Sequence, residues 1–318
     1  MKPYIALDTD KLNQIKFKNR LQTVLLLMVM AAFVGLLGLW ILGEDFALTA
    51  LFVILIIGIF NPVYSPYFIM RAYNARPITV EQSPQLHSIN QELAKRAGLT
   101  QIPQLYYLPV GTLNAFATGS PDNAVIGLSD GLLRTLELEE LAGVLAHEIS
   151  HIKHHDMRIM SLADTMGMLT RTLSLTGQVL LMILIPAQLM GMVSINFIAF
   201  AMLILAPVAS ALIQLAVSRK REFLADLSAA QLLGDPRPLR NALIKLDGQN
   251  SYWERLYRAS TDNAILRTHP TTEERIKQLN ELYQKSQWQP IDYLHPAHNN
   301  LIADNAIKPR RMGRYYWF

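Results

Sequence analysis

The chain has 318 residues, of which 51% are hydrophobic and 17% charged, with a mean hydropathy of +0.19. A soluble domain carries about 25% charged residues, so membrane-crossing segments are expected. No cysteine is present, which excludes a disulfide framework and a thiolate metal site. The net charge of +4 comes without basic–aromatic interleaving, so it is read as membrane topology and not as nucleic-acid binding.

Residues 1–20 form a cytoplasmic arm carrying Lys2, Lys11, Lys16, Lys18 and Arg20. A charge-free stretch follows from Leu21 to Gly43, long enough to cross a ~30 Å hydrocarbon core and too long for a signal-peptide core. It is read as an uncleaved anchor. Glu44 and Asp45 make an acidic turn, and Phe46 to about Pro62 is the return span. Tyr64, Tyr67 and Tyr73 lie near its exit, followed by Arg71 and Arg76. The two spans make residues 21–70 a transmembrane hairpin.

Residues 71–171 read as the first part of a soluble domain. A polar helix fits Pro84 to Ala97. Short strands fit Gln104 to Leu108, Leu113 to Thr118 and Ala124 to Leu128, with a hairpin turn at Ser120-Pro121-Asp122-Asn123. Ser129 or Asp130 caps a short helix through Arg134. Thr135 is then expected to cap a helix from Leu138 to about His155, with Glu137, Glu139 and Glu140 near its N-terminal dipole.

That helix carries His147-Glu148-Ile149-Ser150-His151, an H-E-x-x-H pattern. Residues four apart lie about 40° apart around a helix, so both imidazoles can reach one ion. Zn²⁺ suits the pair, and Glu148 can act as general base beside it. Leu138, Leu141, Leu145, Ile149 and Ile152 share a sector roughly opposite the histidines, so one stripe packs inward while the other presents the site. His154 and His155 are read as solvated residues, and the methionine-rich stretches as helix packing and not a copper site.

Residues 172–218 are again free of charge and span roughly two crossings, divided near Gly191–Asn196, with Pro186 and Pro207 inside the two helices. Arg219, Lys220 and Arg221 open the second soluble part, 219–318. Pro236-Arg237-Pro238 marks a turn before a helix, and His269-Pro270-Thr271-Thr272-Glu273-Glu274 reads as a helix start. Basic residues flank the spans on one side only, which places both termini and both soluble parts in the cytoplasm. The expected fold is mainly α with a small β-sheet and four transmembrane helices, the soluble parts forming one discontinuous domain.

The residues after His151 lack the glycine and third histidine of a metzincin, so a third ligand must come from further along. Glu222, Glu254, Glu273, Glu274 and Glu281 are open candidates. Glu222 stands out because it emerges directly from the fourth span, with Asp226 one turn later on the same face.

Four motifs in order now carry a resemblance: Asn114-Ala115-Phe116-Ala117-Thr118-Gly119, His147-Glu148-x-x-His151, Arg221-Glu222-Phe223-x-Ala225-Asp226 and His269-Pro270-x4-Arg275. Together with the four-span layout they resemble the membrane-integrated zinc metalloproteases of the HtpX type, and more distantly the CAAX prenyl endoproteases, over about residues 20–285. The resemblance implies a zincin-like, gluzincin-type domain with one Zn²⁺ held by His147, His151 and Glu222, and Glu148 as general base. By similarity, Asp226 orients His147, and Asn114 to Ala117 form an edge strand that pairs with an extended substrate. His269 would sit near the developing oxyanion, supported by Arg275, which alternatively binds the carboxylates of the site. The implied substrates are damaged or misassembled membrane proteins, within a bacterial inner membrane. A processing protease for one dedicated or prenylated substrate is the alternative within enzymes, and a zinc-retaining scaffold the alternative outside them. A transporter is disfavoured because the spans contain no Asp, Glu, Lys, Arg or His.

Overall fold

The computed structural model describes residues 66–192, 197–249 and 272–285, together with helical positions scattered between 17 and 35. Part of the first expected span is therefore helical. The second expected span (46–62), His269, and the tail after 285 lie outside the described residues.

A short helix α1 (Pro66–Ala72) leads into strand β1 (Arg76–Pro77) and helix α2 (Pro84–Ala97). Helix α2 starts on a proline in its first turn and ends at Gly98, whose φ of 74° is the left-handed cap that a residue without Cβ adopts freely. Strands β2 (Gln104–Leu108), β3 (Ala115–Thr118) and β4 (Val125–Ser129) complete a four-stranded sheet in the order β1-β2-β4-β3. β2 pairs parallel with β4, while β3 pairs antiparallel with β4. The turn between β3 and β4 closes through Asn123, whose side chain accepts from the Ser120 amide at 2.8 Å. Among the described residues β3 is thus an edge strand.

Ser129 caps α3 (Asp130–Thr135), its hydroxyl accepting from the Leu132 amide at 3.2 Å. The next helix, α4 (Leu138–Lys153), is not capped by Thr135, which is the last residue of α3. Glu137 takes that place in a capping box, and Glu140 accepts from the Glu137 amide at 2.8 Å. A carboxylate at the cap works as a hydroxyl does, and its charge also meets the helix dipole.

Helix α5 (Asp156–Leu189) starts sixteen residues before the charge-free stretch, and α6 (Phe197–Leu233) runs fifteen residues past its end. Both are long and apolar enough to cross a membrane, over Asp156–Leu189 and Ala201–Leu233. Apolar side chains such as Leu175, Met182, Ile183 and Leu205 face outward along them. Helices α7 (Arg237–Gln249) and α8 (Thr272–Lys285) follow. The Asp235 carboxylate accepts from the Arg237 amide at 2.8 Å and so starts α7.

One core joins these elements. Leu145, Ile149 and Ile152 of α4, with 0% exposure, pack among Ile126 and Leu128 of β4, Leu93 of α2, and Leu233 of α6. Alternation along β3 turns Ala115 and Ala117 towards this core and Phe116 towards a second cluster with Met70, Leu108 and Val125. Two alanines let α4 lie close against the edge strand.

Candidate metal centre and active site

Two helices converge on one point. α4 supplies His147 and His151 one turn apart, and their Nε2 atoms lie 3.0 Å from each other. α6 supplies Glu222, with Oε2 3.4 Å from His147 Nε2 and Oε1 3.8 Å from His151 Nε2. One ligand atom from each of the three lies within 4.8 Å of the others. Ligands at about 2.1 Å around a tetrahedral ion are about 3.4 Å apart, so the donor set matches a small divalent cation in size. Imidazole nitrogens and a carboxylate are also the donor types that bind such ions.

Each imidazole is held from behind. His147 Nδ1 lies 2.9 Å from Asp226 Oδ1, and His151 Nδ1 lies 2.7 Å from Asp156 Oδ2. A carboxylate can only accept, so Nδ1 carries a proton, and each ring in its neutral form offers the Nε2 lone pair to the shared centre. The carboxylates are held in turn. Arg275 donates to both oxygens of Asp226, at 2.8 and 2.7 Å, and its Nη1 lies 3.3 Å from Glu222 Oε2. Arg221 pairs with Asp156 at 3.1 Å.

Asp226 and Asp156 are each 2% exposed, so these charges act in a low-dielectric setting. Burial and the adjacent Arg275 both push the His147 imidazole down. Asp226 and Glu222 outweigh them, and its pKa rises to about 10. Burial works against the Arg275 charge too, but Asp226, Glu222 and Glu148 hold its pKa above the usual guanidinium value. For Asp226, burial raises the pKa, but the positive charge of Arg275 and the hydrogen bonds from His147 and Arg275 outweigh it, for a net decrease. Holding a cation requires His147 in its neutral form, and the carboxylates of Glu148, Glu222, Asp226 and Asp156 against the guanidiniums of Arg221 and Arg275 then leave two formal negative charges. A divalent cation would neutralise them.

The centre opens into a cavity of about 490 Å³. Glu148, 8% exposed, lines it beside the two histidines, and Asn114 to Ala117 line it from the edge strand. Asn114 is tied to β4: its amide donates to Ser129 Oγ at 2.9 Å and its carbonyl accepts from the Ser129 amide at 3.0 Å. In an antiparallel ladder, hydrogen-bonded pairs alternate. The Asn114–Ser129 pair therefore implies a bonded pair at Phe116–Gly127, with the backbone groups of Ala115 and Ala117 pointing away from β4.

Of the residues singled out above, His147, Glu148, His151, Glu222, Asp226, Arg275 and Asn114 to Ala117 come together here, while His269 lies outside the described residues. His154 is not solvated as expected. It is half-buried, with Nε2 2.8 Å from Ser228 Oγ on α6. Asp156 and Arg221 were not anticipated. Five residues after His151, Asp156 would face away on an unbroken helix. His155, in the left-handed region at φ 56°, breaks the helix and turns Asp156 back. A stop after Lys153 followed by an acid was the available signal.

Residues 81–283 match the profile of Peptidase family M48. A protease HtpX homolog of Sulfurihydrogenibium sp. is 34% identical over 297 residues, covering 85% of this chain and 98% of that protein. A protease HtpX homolog of Pyrococcus furiosus is 34% identical over 281 residues, covering 80% and 94%. The solved structure of S. mikatae Ste24p aligns with a TM-score of 0.47 at 23% identity, covering 84% of this chain and 66% of that one. The match across most of the chain, ending on a site of two histidines and a glutamate, assigns the protein to peptidase family M48, as a metalloprotease that hydrolyses peptide bonds.

Proposed function

We propose that the protein is a zinc-dependent endopeptidase of a bacterial inner membrane, with its site on the cytoplasmic side, acting on damaged or misassembled membrane proteins. The observation that carries this reading is the convergence of His147, His151 and Glu222 beneath an edge strand, each imidazole backed by a buried carboxylate. In this reading His147, His151 and Glu222 hold Zn²⁺. When bound, the ion supplies Lewis acidity to the scissile carbonyl and lowers the pKa of the attacking water.

The chain's own residues do the rest. Asp226 and Asp156 keep the two imidazoles in the tautomer that offers Nε2. Glu148 takes a proton from the attacking water and hands it to the departing amine. The outward amide and carbonyl groups of Ala115 and Ala117 pair with an extended substrate, which positions the bond to be cut by backbone contacts common to every sequence. Arg275 balances Glu222 and Asp226, and His269 assists at the developing oxyanion, as the resemblance implies. Four spans, two in residues 21–70 and two in 172–218, hold the domain formed by 71–171 and 219–318 against the bilayer. The basic residues Arg219, Lys220 and Arg221, within α6 where the charge-free stretch ends, support the cytoplasmic orientation.

The test is proteolysis of an unfolded protein in detergent by the purified parent and a Glu148→Gln variant, with metal counted in each. About one zinc in both, with cleavage by the parent alone and its loss to chelator, is the expected result. Zinc in both with cleavage by both would remove Glu148 from its role. A parent that cleaves without zinc would overturn the zinc reading.

A further inference from the structure

The cavity has a second wall that neither metal binding nor proton transfer uses. Leu239, Leu243 and Leu246 recur at helical spacing on one face of α7, and all three line the cavity that holds His147 and Glu148. Val144, one turn before Glu148, and Leu132 of α3 complete the wall. Leu239 and Leu243 are rooted in the core at 2% and 6% exposure, so the wall is packed from behind.

α7 lies this close to the metal-binding helix because residue 143 is glycine. A Cβ there would sit 2.6 Å from the Leu239 amide nitrogen and 2.7 Å from its Cα, both backbone atoms that no rotamer change can move. Lys245 fixes the register from the other side, its Nζ lying 2.8 Å from Glu140 Oε2 and 3.1 Å from Glu137 Oε1 at the start of α4. The cavity therefore combines the charged groups of the metal centre with aliphatic side chains of α7, and the edge strand lines it too.

Building on the endopeptidase reading, we infer that Leu239, Leu243, Leu246 and Val144 form a specificity pocket that takes a bulky apolar side chain of the substrate beside the bond being cut. The edge strand reads backbone only, so this wall selects among sequences. An aliphatic wall gains from covering apolar surface and offers no partner to a charge. A segment exposing leucine, isoleucine, methionine or phenylalanine is what a misfolded protein presents.

The experiment maps every cut that the full-length parent and its variants make in an unfolded test protein, with thermal stability and metal content measured for each. The parent is expected to favour a large apolar residue at one position next to the cut, by about tenfold or more in kcat/KM over alanine. Leu243→Ala should shift that preference towards aromatic residues, and Leu243→Phe towards alanine and glycine. Leu246→Lys, at a half-buried position that folding tolerates better, should admit acidic residues. A flat parent profile, or profiles unchanged in all three variants while rates fall uniformly, would overturn the pocket and leave the endopeptidase reading standing. A parent that cuts nothing tells against that reading instead. The pocket is then judged by binding of leucine- against alanine-containing peptides to the Glu148→Gln protein, where equal retention overturns it.

Discussion

Replacing Asp226 with asparagine tests the support behind the metal site without touching a ligand. In the native arrangement Asp226 accepts from His147 Nδ1 at 2.9 Å and from Arg275 at 2.7 and 2.8 Å, while 2% exposed. An amide is nearly the same size but has only one accepting oxygen. In the Oδ1 place its NH₂ faces both the imidazole proton and Arg275 Nη2, and in the Oδ2 place it faces Arg275 Nε, all of them donors. If the amide oxygen stays with Arg275, His147 is driven to the other tautomer and its Nε2 lone pair turns into an N–H. If the oxygen stays with His147, a buried guanidinium loses a charged partner. The first outcome weakens metal binding by about 10–100-fold, which is about 1.4–2.8 kcal/mol. The second destabilises the fold by about 3–5 kcal/mol, reduced by whatever Glu222 at 3.3 Å takes over. The assay is competition for zinc against a chelator of known affinity, in parallel with thermal unfolding of the metal-free protein. A variant with parental zinc affinity and parental metal-free stability would refute the reasoning.

Removing the metal with chelator should lower the melting temperature, since linkage at a hundredfold excess over Kd contributes about 2.7 kcal/mol. The shift should vanish in a His151→Ala variant, checked by thermal scanning. Ala117→Pro removes an amide that points away from β4, so it should keep the ladder to β4 yet cut kcat/KM at least tenfold on extended substrates, with metal content and stability followed in parallel because the ring also meets α4. Phe116→Pro should instead disrupt the ladder to β4 and lower stability, as denaturation would show. Gly143→Ala gains about 1 kcal/mol of helix propensity but drives a Cβ to 2.6 Å from backbone, costing up to about 3 kcal/mol. A net loss near 2 kcal/mol in denaturant unfolding is expected.

What the sequence determined by itself is local. The H-E-x-x-H helix was legible because 3.6-residue periodicity alone brings His147 and His151 to one face and Leu145 and Ile149 to the other. Helix α2, strand β2 and the Ser129 cap were legible through proline, glycine and short polar side chains that act on their immediate neighbours. Glu222 and Asp226 could be singled out because a continuous helix carries them directly out of an apolar stretch.

The tertiary structure decided what lies between elements. Only the packing of α4 against α6 puts Glu222 Oε2 3.4 Å from His147 Nε2, and only the packing of α8 brings Arg275 against Asp226. The break at His155 swings Asp156 behind His151, which no fixed helical spacing would suggest. The strand order β1-β2-β4-β3 leaves β3 as an edge, and a glycine too small to hold α7 away turns three leucines into one wall of the site. Spacing along a chain governs which side chains share a face. Which faces meet depends on how the whole core excludes water, and no window of neighbouring residues contains that information.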